Sequence, residues 1–147
     1  MNIKITSLFF ASFILLLNAS HAQTKKQAAA HQTALETSIA RGKMVYANVC
    51  LACHMADGGG VQNMNPPLIK TSYILGSKTA LINIVLHGFN EDVEIDGKTY
   101  SNTMSPHDNL TDRQIADVLT YVRRNFGNKA VAVKAAEVSK VRIVTKK

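Results

Sequence analysis

The chain has 147 residues, 46% of them apolar and 18% charged, enough to close one hydrophobic core but hardly two. Its formal net charge is +7, yet the basic residues gather at the two ends without interleaved aromatics, which argues against an ordered nucleic-acid surface. Aromatics make up only 6% and tryptophan is absent, so the core is either aliphatic or filled by something other than side chains.

The start, "MNIKITSLFFASFILLLNASHAQ", carries Lys4, an apolar run over residues 8–17 and the small-x-small triplet Ser20-His21-Ala22. This pattern predicts a signal peptide over residues 1–22, cut after Ala22, and an exported, periplasmic protein. The run is about ten residues, short of the roughly 20 a spanning helix needs, so no spanning segment is expected after cleavage.

Residues 23–34 read as a polar linker or frayed helix. From residue 35 to 50 the spacing of Ile39, Met44, Val45 and Val49 predicts a helix, with Thr37 or Ser38 as its cap and Met44 packed in the core. Gly42 interrupts it, and a glycine inside a helix costs about 1 kcal/mol relative to alanine, so it marks close approach by another element. "ADGGGVQNMNPPL" can only be a loop. "SKTALINIVLHG" is a compact helix with Ser77 as N-cap and Gly88 as stop.

Asp96-Gly97 in "VEIDGKTY" is a strong hairpin signal, and a second loop, "SNTMSPHDN", follows. "LTDRQIADVLTYVRRNFG" opens on a Thr111/Gln114 capping box. Ile115, Val118, Leu119, Val122 and Phe126 form its apolar stripe, and Gly127 ends it. A short last helix is expected around Ala135 to Val141. The fold class is mostly α with one short hairpin and two long loops, and long loops in a small domain usually wrap something.

The two cysteines, Cys50 and Cys53, are separated by two residues, and His54 follows the second. A thioredoxin-like disulfide would need a βαβ setting, which the helical flanks deny. A closed zinc site needs four ligands, and His87 and His107 stand at spacings that match no common zinc pattern. Cys-x-x-Cys-His attaches haem c: the thiols add across the porphyrin vinyl groups and the imidazole ligates iron from the proximal side. Such a group also explains the thin aromatic supply.

With these residues in place, the sequence resembles class I c-type cytochromes, most of all the single-domain bacterial carriers and the cytochrome domains associated with periplasmic dehydrogenases and reductases. The resemblance rests on "ARGKMVYANVCLACH", the glycine loop, "NPPL", "GKTYSNTM" and "LTDRQIADVLTYVRRNFGN". It implies a cytochrome c fold of three to five helices around one covalent haem. The haem domain would span residues 35–130, followed by a basic C-terminal tail over residues 131–147. It also implies that the first and last helices cross at Gly42 against Tyr121, and that the Pro66 carbonyl accepts a hydrogen bond from His54. Where the family commonly reads Met-Pro, Met104 is followed by Ser105 and then Pro106.

For the distal iron ligand the candidates are Met44, Met55, Met64, Met104, His31, His87 and His107. Met55 adjoins His54 and cannot cross the porphyrin, and Met64 is expected beneath the proximal imidazole. Met104 lies beyond the hairpin in a loop that can reach the far face, and is the expected ligand, with His107 as its rival. Leu68, Tyr73, Tyr100, Ile82, Val85 and Leu86 are expected to wall a cleft larger than about 300 Å³. The function these features imply is single-electron transfer between a donor and an acceptor protein, without catalysis of its own. The basic ends suit an acidic partner surface. The alternatives are a subunit of a larger dehydrogenase or oxidase complex, and a haem enzyme or gas sensor with a labile distal ligand.

Overall fold

The computed structural model describes residue 27 and residues 29–145; the expected signal peptide, Lys146 and Lys147 lie outside the described residues. The chain divides into two units, residues 1–36 and 37–147. In the first, residues 29–36 are helical and largely exposed, including most of the stretch expected as a linker. No helix among the described residues is long and apolar enough to cross a membrane.

The second unit starts with α1 (residues 37–45), so Thr37 and Ser38 sit within a helix rather than capping one. Ser38 instead donates its hydroxyl to Asp117 at 2.6 Å. Met44 is 64% exposed, which corrects its expected core role; Ile39, Val45 and Val49 carry the packing face. After α1 the helix widens into a π-turn, Tyr46–Cys50, and tightens into α2, Leu51–His54. Single π-turns inside helices occur frequently at functional sites, and this one ends on the first cysteine of the motif.

A short α3, Ser72–Leu75, is capped by Thr71 and was not foreseen from the sequence. α4, Lys78–His87, begins on Ser77, whose side chain accepts from Ala80 N, and stops at Gly88 with φ +77°. β1 (Val93–Ile95) pairs antiparallel with β2 (Lys98–Tyr100) through Asp96 (φ +51°) and Gly97 (φ +73°), the double left-handed turn expected of Asp-Gly. α5, Asp112–Arg124, opens on the full Thr111/Gln114 capping box, and its last residue is two before Phe126. α6, Ala135–Thr145, is longer than expected.

α5 is the centre of the unit. Every residue from Ile115 to Arg123 is buried, the polar ones included, so the expected stripe is only part of its packed surface. Gly42 of α1 permits this on one side: a Cβ there would lie 2.0 Å from the Asp117 carbonyl oxygen and 2.8 Å from Tyr121 Cβ. On the other sides the polar residues are each satisfied, as buried polar groups must be. Asp117 accepts from Ser38 and from both Nε (2.5 Å) and Nη2 (2.9 Å) of Arg41. The Thr120 hydroxyl bridges the backbone N–H and C=O of Val133.

Arg123, only 3% exposed, donates to the carbonyls of Val131 (2.8 Å), Gly76 (3.2 Å) and Ile74. Desolvation lowers its pKa, but it stays a cation. Arg123→Met should therefore cost about 3–5 kcal/mol, because three carbonyls lose a charged donor and the helix end of α3 comes loose. Arg123→Lys should recover only part of that, since one ammonium cannot match the guanidinium fork. Urea midpoints of the three proteins measure both.

Val133, Val138 and Val141 belong to the same core as α4 and α5, so packing continues well past residue 130. The segment expected as a tail is thus a docked helix. It is held further by Arg142, which donates to Asp112 (2.7 Å) and to the Asp108 and Leu110 carbonyls, and by the Lys78–Glu137 ion pair.

Burial alone would raise the Glu137 pKa, but hydrogen bonds from Lys78 and from the Lys134 N–H outweigh it and hold the carboxyl below its ordinary value. A depressed folded-state pKa contributes stability above the unfolded value and loses it as pH falls through the folded one. With the side chain 35% exposed, the contribution is discounted to about 0.5–1 kcal/mol. Glu137→Gln should accordingly lower the urea midpoint at pH 7, by a difference that disappears as pH falls through the folded-state pKa of the carboxyl.

Candidate functional site

One apolar cleft runs between α2, α4, α5 and the two long loops. Cys50 and Cys53 reach it from consecutive helical turns, and His54 enters beside them. Burial, and then the neighbouring Cys53, push the Cys50 thiol up to about 11, so it stays protonated at neutral pH. His54 Nδ1 lies 3.0 Å from the Pro66 carbonyl oxygen. A carbonyl can only accept, so Nδ1 carries the proton and Nε2 keeps its lone pair. Burial lowers the imidazole pKa below its ordinary value, more than the Pro66 bond raises it, and His107 lowers it further. The ring is thus neutral and oriented.

The glycine loop builds the platform for that bond. Gly60 N donates to the His54 carbonyl, and a Cβ on Gly60 would strike Asn65 O at 2.2 Å and Pro66 O at 2.7 Å. Leu68 N donates to Gly58 O at 2.7 Å, closing the loop under the ring.

Met104 lines the same cleft, and its loop is firmly tied. Met104 and Phe89 exchange backbone hydrogen bonds of 2.7 and 2.9 Å, and His107 N donates to Val85 O. Asn102 donates from its backbone to Met64 O and from its side chain to Asn65 Oδ1 at 2.8 Å. The loop that carries Met104 is therefore fastened to the loop that carries Pro66. Neither Asn65 nor Asn102 was singled out from the sequence, where nothing marks two asparagines as partners.

Of the expected wall residues, Leu68, Tyr73, Tyr100 and Val85 line the cleft. Ile82 and Leu86 do not: both are buried on another face of α4, and Ile82 sits beside Val141 and Val144. Leu81, Ile84 and Val85, at helical spacing, face the cleft instead. His107 also lines it, whereas His87 is exposed and Met64, 50% exposed, does not.

The cleft encloses about 250 Å³, less than the 300 Å³ expected. It is not closed off from solvent, and Cys53 on its lining is exposed, so a group held there need not be fully enclosed. Its chemistry fits haem: two thiols, an imidazole with a free Nε2, a thioether, and walls that are mostly apolar. Among the described residues, Glu91 is the only acidic or basic one apart from histidines that lines it.

Residues 39–125, more than half of the chain, match the model of the family described as "Cytochrome c". The chain belongs to the cytochrome c family. Its cofactor is covalently attached haem c with iron, and Cys50 and Cys53 stand as the family's Cys-x-x-Cys pair. The cytochrome c subunit of alcohol dehydrogenase (quinone) from Gluconacetobacter polyoxogenes is 35% identical over 72% of this chain, but the match spans only 23% of that protein. The gluconate 2-dehydrogenase cytochrome c subunit of Pantoea cypripedii is 34% identical over 69% of this chain and 24% of its own length. Cytochrome c-552 of Thermus thermophilus is 34% identical over 60% of this chain and 70% of its own. The chain thus spans about a quarter of the dehydrogenase subunits it resembles and most of a small cytochrome.

Proposed function

We propose that this cytochrome c carries single electrons between a donor and an acceptor protein in the periplasm, with His54 and Met104 as its axial iron ligands. A haem held there by Cys50, Cys53, His54 and Met104 would supply a one-electron ferrous/ferric couple. The observation that carries the reading is one cleft lined by both thiols, an oriented neutral His54 and a tied-down Met104. With His54 and Met104 both held by the iron, no coordination position would be left for a substrate, and the chain would catalyse nothing itself. A thioether opposite imidazole favours the ferrous form, which suits an acceptor of electrons from a dehydrogenase.

The test is a redox titration of the haem-loaded protein. It should follow a one-electron curve with one haem per chain and no carbon monoxide binding to the ferrous form. Binding without ligand displacement would favour a sensor or haem enzyme. A second reading, a subunit held in a dehydrogenase complex, draws on the dehydrogenase cytochrome subunits among the relatives. Size exclusion of native extract separates the two, the free carrier eluting as a small protein no larger than the 16.0 kDa of the uncut chain.

A further inference from the structure

Met55, directly after His54, has φ +63° and ψ +166°. That region of backbone space is essentially restricted to glycine, and a side chain there is held only by surroundings that over-determine it. Two hydrogen bonds converge on the Met55 carbonyl: Gly58 N at 3.3 Å and the Tyr46 hydroxyl at 2.6 Å. Tyr46 is 2% exposed, and its ring is wedged between Tyr121 and Phe126 at centroid distances of 5.3 and 5.4 Å. Its hydroxyl has one fixed place to point.

We infer that Tyr46 is a positioning residue for the iron ligand: its hydroxyl pins the Met55 carbonyl, and so holds the strained turn that aims His54 at Pro66. The coupling is short and continuous. The pinned carbonyl belongs to the Met55–Ala56 peptide. Once it is released, φ of Met55 can relax and turn the adjoining His54–Met55 peptide, whose carbonyl accepts from Gly60 N, and Gly60 is packed against Asn65 O and Pro66 O. Release of the turn therefore disturbs both ends of the Nδ1–H bond to Pro66. That bond makes the imidazole a stronger donor to a metal, so its loss weakens the ligand and favours ferrous iron. A methionine at position 55 needs the Tyr46 bond to stay in place; a glycine adopts the same angles without it.

The inference rests on His54 as the iron ligand, and the experiment separates the two. In the ferrous holoprotein, exchange of the His54 Nδ1 proton is followed by NMR, with reduction potentials alongside, for wild type, Tyr46→Phe, Met55→Gly and the double variant. Tyr46→Phe should speed exchange at least tenfold and shift the potential upward. Met55→Gly should leave both near wild type, and the double variant should return to within about twofold of Met55→Gly alone. If Tyr46→Phe fails to mature with haem, the double variant should restore loading; failure of both overturns the inference. Unchanged exchange in Tyr46→Phe, or equal acceleration in both backgrounds, would leave Tyr46 a packing residue only. A His54→Ala variant with the wild-type spectrum would sink the ligand assignment, and this inference with it.

Discussion

Replacing Met104 with alanine should leave the haem attached, because attachment uses only Cys50 and Cys53. It should abolish the weak long-wavelength sulfur-to-iron absorption of the oxidised protein, lower the reduction potential, and let the ferrous protein bind carbon monoxide. The loss of the thioether removes the ligand that favours the ferrous state. The loop itself should stay in place, since it is fastened by backbone bonds to Phe89 and by Asn102 to Met64 and Asn65, none of which uses the Met104 side chain. Met64→Ala is the control. Met64 is half exposed and off the cleft, so the cost should be below about 1 kcal/mol and the sulfur band should persist. A band lost in Met64→Ala and kept in Met104→Ala would mean that the wrong loop has been placed on the distal side. Were neither to change it, His107, which also lines the cleft, becomes the ligand to test.

Gly42→Ala should be strongly destabilising, although it adds only one methyl group to a helix. Alanine gains about 1 kcal/mol of helix propensity over glycine. Against that stands a Cβ 2.0 Å from the Asp117 carbonyl oxygen and 2.5 Å from its carbon, atoms of a buried helix that cannot swing aside as a side-chain tip would. Overpacking typically costs 1–3 kcal/mol, and here α1 and α5 must separate, stretching the Ser38 and Arg41 bonds to Asp117 as well. A net loss of about 3 kcal/mol is expected. Gly97→Ala provides the contrast. Nothing lies within 4 Å of its added Cβ, so only its positive φ opposes the change, at about 1 kcal/mol. Guanidinium unfolding of the haem-loaded variants should rank them in that order; a milder Gly42→Ala would mean that the crossing is looser than its distances.

Local signals in the sequence located the elements whose causes are themselves local. Ser77, Gly88, Asp96-Gly97 and the Thr111/Gln114 box each act within one turn of chain, and all behave as their chemistry requires. The Cys-x-x-Cys-His spacing likewise carries its own meaning. What escaped depends on distant partners. Met44 and Val45 are neighbours in one apolar pattern, and only the arrival of α5 decides which of them is covered. Ile82 and Leu86 are as apolar as Leu81 and Val85, but α6 claims one face of α4 and the cleft the other. The all-round burial of α5 hides behind Asp117, Thr120 and Arg123, polar residues whose partners come from α1, from the turn after α3 and from the segment before α6. Period alone cannot assign such residues to an inside.

The bonds between α1 and α5 span 76 and 79 positions of the chain. A chain that emerges from its N-terminus presents Cys50 and Cys53 long before Val118, Leu119 or Val122 exists to close the cleft they line. Closing a loop of that length costs entropy before any contact repays it, so this crossing forms late in folding. The thiols are therefore reachable on an open chain, and the machinery that joins them to haem need never unfold a finished protein. The corollary concerns chains that miss their haem. Their α1–α5 crossing closes around an unfilled apolar cleft, and they should be cleared by proteolysis faster than their loaded counterparts.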